Sequence, residues 1–299
     1  MERAILPPIR KTAAIPLAAG GLLLLPASLV FLGELPAWKQ MWLVAFTMYA
    51  CLKGLTWAAC PLARSVSVRR SLAYLLLWPG MNARAFLNPD LRPARPAAVE
   101  WLLGTLHLAI GALVLAAILP RVSAEWILLR GWLGVAGLLL IAHFGLFRLL
   151  SVFWRSRGIS AEPLMHAPWR SCSLSDFWGR RWNSAFRDLS FHFVLRPLAS
   201  SVGVAWATMT VFLISGLIHE LAISWPVRAG WGGPTLYFLL QGGGLLLERS
   251  KAGRQIGLST GIAGRIACAA FVLLPAPLLF HEPFLRYSVL PTVAALTAR

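Results

Sequence analysis

The segment at 171–198 carries more chemical functionality than a connecting loop needs. Its sequence, SCSLSDFWGRRWNSAFRDLSFHFVLRPL, combines arginines, carboxylates and an amide with many aromatic rings. Arg180, Arg181 and Asn183 offer hydrogen-bond donors to an anion or to a carbonyl oxygen. The rings favour a place at a membrane interface. Two interpretations follow: a binding or catalytic site, or an amphipathic surface helix whose arginines snorkel toward water.

His219 and Glu220 place ionisable groups inside an otherwise apolar stretch, SGLIHEL at 215–221. Such groups are costly in a membrane and usually face a bundle interior or a water-filled cavity, so a functional role for His219 is the default hypothesis. The near-neutral intrinsic pKa of histidine suits a general base. The alternative is a histidine that hydrogen-bonds a neighbouring helix and only holds the bundle together.

Two further histidines suggest a different chemistry. His107 and His143 lie in separate apolar stretches, and two histidines on facing helices can ligate haem. No other feature of the sequence supports a redox chain. The four cysteines form no CxxC pair, so we expect neither a disulfide nor a metal site.

The elements that must position these residues are membrane helices. The chain has 299 residues, 58% of them hydrophobic and 13% charged, a balance that does not suit a water-soluble fold. Seven apolar stretches approach or exceed the length that a bilayer core demands of a spanning helix. They are 14–33, 41–60, 101–120, 126–153, 200–225, 233–248 and 262–281, with a weaker eighth at 284–298. The predicted fold is an all-α polytopic membrane protein of about eight spans.

Charge placement predicts the orientation of these spans. The net charge is +17, but the basic residues collect in alternate loops, which indicates membrane topology rather than nucleic-acid binding. The positive-inside rule then predicts a cytoplasmic N-terminus and cytoplasmic segments at 61–100 and 154–199. A basic face of this kind suits the phosphates of lipids or of coenzyme A. The high Ala and Arg content is typical of a GC-rich bacterium and predicts an inner-membrane location.

One apolar segment is too short to span. SLAYLLLWPG at 71–80 ends in a proline and a glycine, so we expect an interfacial or re-entrant helix, with Trp78 anchored at the headgroups. No internal repeat or long polar linker divides the chain. Residues 1–299 therefore form a single membrane domain in this interpretation.

Two motifs at a fixed spacing resemble a known family. FWGRRWN at 177–183, followed 36 residues after its asparagine by the histidine of SGLIHEL, is similar to membrane-bound O-acyltransferases, and the nearer branch is the wax-synthase-like one. The similarity is strongest over 170–245. It includes WPGMN at 78–82, which resembles a cytoplasmic proline-glycine element of wax synthases.

The resemblance implies roles for several residues. His219 corresponds to the catalytic histidine and Asn183 to the second signature position, flanked by Arg181 and Trp182. Some relatives carry histidine where this chain has Asn183, so the role expected here is that of a hydrogen-bond partner. Acyl-CoA is implied as donor and co-substrate, with a lipophilic hydroxyl compound as acceptor and no bound cofactor. The candidates for contacts with acyl-CoA, including its phosphates, are Trp178, Arg180, Arg181, Trp182 and Arg187.

The mechanism expected from this resemblance is acyl transfer without an acyl-enzyme. His219 takes the hydroxyl proton as the oxygen attacks the thioester, and Asn183 donates to the oxyanion or orients the histidine. A straight helix entering the membrane near residue 200 would place His219 about 28 Å further on, far from the cytoplasmic motif. Two other functions stay open: a transporter with His219 as proton relay, although we detect no inverted repeat, and the bis-histidine haem protein.

Overall fold

All regular secondary structure of the chain at 34–298 is helical, in a computed structural model that describes these residues. The predicted span at 14–33 lies outside the described residues. The helices, numbered in chain order, are α1 Ala37–Ala58, α2 Val68–Leu77, α3 Ala83–Leu87, α4 Ala98–Arg121, α5 Ile127–Ser156, α6 Leu174–Asp176 continuing through Phe177–Arg181, α7 Ser184–Val227, α8 Gly233–Arg249, α9 Lys251–Gln255, α10 Gly261–Leu279, and α11 Glu282–Phe284 continuing through Leu285–Val289 and Leu290–Leu296.

Four of these helices, α4, α5, α7 and α10, are long and apolar enough to cross a membrane. They coincide with the predicted stretches 101–120, 126–153, 200–225 and 262–281, which confirms a polytopic membrane protein. The described residues do not support the count of about eight. Helix α1 carries two lysines within 22 residues, α8 has only 17 residues, and α11 is shorter still.

Helix α7 is not straight. Gly203 interrupts it with φ 80° and ψ 161°, a backbone conformation that residues with a Cβ rarely adopt. The helix also begins at Ser184, well before the residue at which the predicted span starts. The estimate of a 28 Å separation assumed one axis from residue 200. Because the helix changes direction at Gly203, the distance of about 28 Å along one straight axis does not give the separation between His219 and the FWGRRWN motif.

Helix α2 is amphipathic, as expected for the segment too short to span. Val68, Leu72 and Leu76 recur at intervals of four residues and are exposed, whereas Ser71 and Tyr74 face the protein. The predicted role of Trp78 at the end of this segment is wrong. Its side chain is 3% exposed and packs in the protein interior, because the chain turns inward after α2.

The turn that follows α2 is held by side chains of two long helices. Tyr49 donates to the carbonyl of Trp78 (3.0 Å), and Lys53 donates to the carbonyl of Gly80 (2.8 Å). Trp154 of α5 donates to the carbonyl of Leu77 (3.1 Å). Without regular secondary structure these carbonyls need side-chain partners. The WPGMN element is thus fixed against α1 and α5.

Two buried clusters organise the bundle. The Trp78 cluster joins WPGMN to the start of α7, and its members are Cys60, Ala63, Tyr74, Trp78, Ala83, Phe86, Leu87, Ala161, Leu164 and Ala185. The Phe238 cluster lies where α5, α6, α7, α8, α10 and α11 meet. Its members are Val135, Leu174, Phe177, Phe212, Ile223, Tyr237, Phe238, Leu245, Cys268, Leu279, Phe284, Leu285 and Val289. The FWGRRWN motif contributes Phe177 to the Phe238 cluster, and His219 of SGLIHEL packs against Phe238 itself.

Candidate functional site

His219 lies partly buried on α7 with a defined ring orientation. Its Nδ1 is 2.7 Å from the carbonyl oxygen of Ser215, one helical turn earlier. A carbonyl only accepts, so Nδ1 carries the hydrogen of this bond. In the neutral ring Nε2 then holds a lone pair and can accept a proton. A wider π-helical turn, Glu220–Ser224, begins directly after the histidine, one of several in the described residues.

The remaining residues of SGLIHEL fasten α7 to α8. A Cβ at Gly216 would lie 2.7 Å from the Cα of Thr235, so only glycine permits this approach of the two helices. Buried Glu220 accepts a hydrogen bond from the Thr235 backbone N–H (3.1 Å), at the N-terminus of α8. One turn along α8, Phe238 packs against His219 with ring centroids 4.4 Å apart. The motif therefore sets the position of α8 relative to the histidine.

The FWGRRWN motif approaches the same part of α8. Ser173 caps α6 by accepting from the Asp176 N–H (2.9 Å). Trp178 then reaches α8, where its indole N–H donates to Gln241 (3.3 Å) and its ring lies 5.9 Å from that of Phe238. Both distances to Phe238, from Trp178 and from His219, are those of aromatic pairs. The two motifs therefore meet at one phenylalanine.

Phe238 was not predicted, because an aromatic residue in an apolar stretch gives no sign of what it touches. Gln241, one turn further, is the polar residue of this interface and is fully buried. Its Nε2 donates to the carbonyl of Phe271 on α10 (2.6 Å), which leaves its Oε1 to accept from Trp178. In the sequence, the one feature that could have predicted this interface is a polar glutamine within an otherwise apolar helix, because such residues often hydrogen-bond a neighbouring helix.

Trp182 faces α5. Its ring lies parallel to that of His143 (6.3 Å, 12°) and to that of Phe177 (5.5 Å, 12°). The Nδ1 of His143 is buried and has no hydrogen-bond partner in the described part of the chain. His107 belongs to a neighbouring ring group with Phe144 (5.7 Å), and its Nδ1 is 2.6 Å from a carbonyl of α4.

Asn183 occupies a position that asparagine suits for two reasons. Its φ of 44° lies in the left-handed region, which asparagine tolerates better than most residues. Its Oδ1 accepts from the Phe186 N–H (3.2 Å) and so caps α7. Because Oδ1 is the acceptor in this bond, the Nδ2 amide is left as a donor, and no described atom accepts from it. Its hydrogen bonds within the described residues do not join it to His219.

A neighbouring segment holds Asn183 in this conformation. The His166 N–H donates to the carbonyl of Arg181 (2.8 Å), and the Ser184 N–H donates to the carbonyl of Leu164 (3.0 Å). These two bonds flank Asn183 on either side along the chain. Burial lowers the pKa of His166, and the positive charge of nearby Arg187 lowers it further, so both effects favour the neutral ring.

The three predicted phosphate-binding arginines all have carboxylate partners. Arg180 and Arg181 share Asp176 at 3.1 and 2.5 Å, and Arg187 pairs with Asp188 at 2.5 Å. The side chain of Arg180 nevertheless remains 75% exposed, which leaves it the freest of the three to meet an anion. No group of three or more potential metal ligands occurs at 34–298.

Residues 161–240 match the family model of the "Membrane bound O-acyl transferase family". The chain is also similar to the "Long-chain-alcohol O-fatty-acyltransferase" of Simmondsia chinensis, with 29% identity over 145 residues, 44% of this chain and 41% of the relative. Two Arabidopsis thaliana proteins match comparably. "Probable long-chain-alcohol O-fatty-acyltransferase 8" is 29% identical over 143 residues, 44% of this chain and 42% of that protein. "Probable long-chain-alcohol O-fatty-acyltransferase 2" is 32% identical over 143 residues, 44% of this chain and 41% of that protein.

These matches cover about two fifths of each relative, 42% and 41% for the first two. The relatives are plant proteins, so they give no support to the predicted bacterial inner membrane. The matched segment contains FWGRRWN, the histidine of SGLIHEL and the part of α8 at which both meet. The resemblance indicated by the two motifs is thereby confirmed: residues 161–240 are similar to the membrane-bound O-acyltransferase family, and the chain is similar to long-chain-alcohol O-fatty-acyltransferases.

Proposed function

We propose that the chain transfers a fatty acyl group from acyl-CoA to the hydroxyl group of a lipophilic alcohol within the membrane. The observation that carries the proposal is the arrangement of His219. Its Nδ1 donates to the Ser215 carbonyl, which leaves the lone pair of Nε2 free. Its ring packs against Phe238, and Trp178 of the FWGRRWN motif packs against the same phenylalanine. The names of the similar plant proteins support the choice of a fatty acyl donor and a long-chain alcohol acceptor.

The reaction assigned to His219 is general-base catalysis. Nε2 takes the hydroxyl proton as the alcohol oxygen bonds to the thioester carbon, and an oxyanion forms. The oxyanion collapses, the carbon–sulfur bond breaks, and the proton on His219 passes to the departing CoA thiolate, so the products are an ester and free CoA. A base of this kind contributes about 10² to 10⁴ in rate. Positioning of the two substrates and stabilisation of the oxyanion supply the rest.

Asn183 is the proposed oxyanion donor. Its Oδ1 is occupied by the cap of α7, whereas Nδ2 donates to no described atom and can serve a substrate carbonyl. The ring stack of Trp182, Phe177 and His143 adjoins it. A donor held by a fixed backbone is the kind of group that stabilises an oxyanion, and this is the role proposed for the Nδ2 of Asn183.

The donor and the acceptor reach this site from different phases. We assign the N-terminus and the basic segments 61–100 and 154–199 to the cytoplasm, because positive loops orient membrane proteins in this way. Coenzyme A then approaches the face that carries the exposed Arg180, while the alcohol enters from the lipid. In this interpretation the stretch 14–33 and helices α1, α8 and α11 complete the membrane domain.

The test is acyl transfer into extracted lipid by membranes that contain the protein. Radiolabelled acetyl-CoA and palmitoyl-CoA are supplied in turn, each with a panel of alcohols from short to long chain. We expect a labelled ester with palmitoyl-CoA and a long-chain alcohol, and none in membranes that lack the protein. If no alcohol of the panel is acylated by either donor, the proposal fails and a transporter becomes the better interpretation of His219.

A further inference from the structure

Glu248, near the end of α8, is a buried carboxylate that the proposed reaction does not use. Its side chain is 4% exposed. Its two oxygens accept from two successive backbone N–H groups at the start of α6, those of Leu174 (2.5 Å) and Ser175 (3.3 Å). A charge is costly to bury unless it is paired or hydrogen-bonded. The helix N-terminus supplies both donors and the positive end of a dipole, so this contact accounts for the burial.

Neighbouring contacts reinforce the same junction. Arg249 donates to the Ser175 hydroxyl oxygen (3.1 Å). A Cβ at Gly244 would lie 2.8 Å from a methyl carbon of Leu174, so the glycine lets α6 approach α8 closely. The last turns of α8 therefore hold the first turn of α6 through the Glu248 carboxylate, the Arg249 guanidinium and the close packing of Gly244 against Leu174.

The same helix pair carries the Trp178 contacts one turn later. Trp178 reaches Gln241 and Phe238 on α8, and Phe238 is the residue that packs against His219. The first turn of α6 is thus clamped at Glu248, and its next turn contacts the phenylalanine at the histidine. Without the Glu248 carboxylate the two backbone N–H groups at the start of α6 lose their acceptors, and the described contacts of this turn with α8 are reduced to the Arg249–Ser175 hydrogen bond and the packing of Leu174 against Gly244.

We infer that Glu248 is a positioning residue. Its carboxylate fixes α6 in register with α8, and through Trp178 and Phe238 it determines where the FWGRRWN motif stands relative to His219. The inference rests on the proposed acyl transfer for its catalytic consequence. The clamp itself is independent of that activity and can be measured without it.

The experiment uses Glu248→Gln in the full-length membrane protein. Glutamine keeps the volume of the side chain, but it replaces one acceptor oxygen with an NH₂ group that faces a backbone donor. The matched control is Glu100→Gln, which alters a partly buried carboxylate that is paired with Arg155 (2.5 Å) and has no hydrogen bond to α6 among the described residues. A third variant, Trp178→Phe, removes the indole N–H and keeps a ring.

The first readout is hydrogen–deuterium exchange of the peptide that covers 171–182. We expect its amides to exchange about tenfold or more faster in Glu248→Gln than in the wild type, because one of the two protected N–H groups loses its acceptor and faces the glutamine NH₂ group instead. Glu100→Gln should leave this peptide unchanged. Unchanged exchange in Glu248→Gln would overturn the inference, whatever the activity.

The second readout is kcat and KM for acyl transfer. We expect kcat to fall about tenfold to a hundredfold in Glu248→Gln with little change in KM, since displacement of a positioning element acts on the transition state. The fall should be smaller in the Trp178→Phe background, because both changes act through one contact. Faster exchange with an unchanged kcat refutes the positioning role. A wild type without transfer activity refutes the proposed function, and the exchange measurement still decides whether the clamp exists.

Discussion

The replacement of His219 by asparagine isolates the proposed base from the local structure. An asparagine amide can donate to the Ser215 carbonyl as Nδ1 does, so the helix keeps a hydrogen bond at this turn, but it offers no basic nitrogen in place of Nε2. The expected loss is the contribution of a general base, about 10² to 10⁴ in kcat, or about 2.7 to 5.4 kcal/mol of transition-state stabilisation. The protein should accumulate to the wild-type level.

The matched control is His107→Asn. His107 also lies in a membrane helix and also bonds a carbonyl four residues earlier (2.6 Å), but its ring neighbours are Phe144 and Trp169 rather than Phe238. The assay measures labelled ester formed from palmitoyl-CoA and a long-chain alcohol at equal protein amounts. A fall of less than tenfold in His219→Asn, or an equal fall in both variants, would refute the assignment of His219 as base.

Three further changes test the surroundings of the histidine. Asn183→Asp keeps the cap of α7 and removes the free amide donor, so kcat should fall about 10²-fold to 10³-fold at unchanged thermal stability. Asn183→Ala also loses the cap and should lower the melting temperature as well. Equal activity of Asn183→Asp and the wild type would exclude an oxyanion role. Gly216→Ala places a methyl group 2.7 Å from the Cα of Thr235 on α8, so we expect about 1 to 3 kcal/mol of destabilisation and a lower kcat as α7 and α8 separate. Thermal unfolding measures the first effect and ester formation the second. Lys53→Met removes the donor to the Gly80 carbonyl (2.8 Å) and should lower the free energy of unfolding by about 1 to 3 kcal/mol. Lys39→Met, at an exposed position, should leave the free energy of unfolding unchanged. Equal stability of the two variants would show that the Lys53 bond does not hold the WPGMN turn.

The sequence predicted the parts of this site better than their arrangement. Apolar length alone located α4, α5, α7 and α10, because the bilayer imposes a minimum length on any spanning helix. The same criterion does not support the further predicted spans, since the apolar run 233–248 lies in a helix of only 17 residues with many buried side chains. Hydropathy does not distinguish lipid from a protein interior.

Trp78 shows the same limitation for a single residue. A tryptophan after a short apolar helix is typical of an interfacial anchor, but the turn at WPGMN directs its ring into the Trp78 cluster. The turn depends on partners that are distant in sequence, such as Lys53 and Trp154. Local pattern gives no information on such partners, and for this reason the role of α8 between the two motifs was also missed.

The contacts of the three membrane histidines do not by themselves select His219 as the base. His219 and His107 have the same bond to a preceding carbonyl and therefore the same free Nε2 in the neutral ring. His143 differs, because its Nδ1 is buried without a described partner and its ring stacks on Trp182. The hydrogen bond of Nδ1 alone does not separate the first two. All three rings lie near the FWGRRWN motif: His143 stacks on Trp182, His107 reaches Trp182 through Phe144, and His219 reaches Trp178 through Phe238. A general base must lie within reach of the groups that bind and polarise the substrate. The choice of His219 as the proposed base therefore depends on its place in SGLIHEL, the position that the family resemblance assigns to the catalytic histidine, and the comparison of His219→Asn with His107→Asn tests that choice.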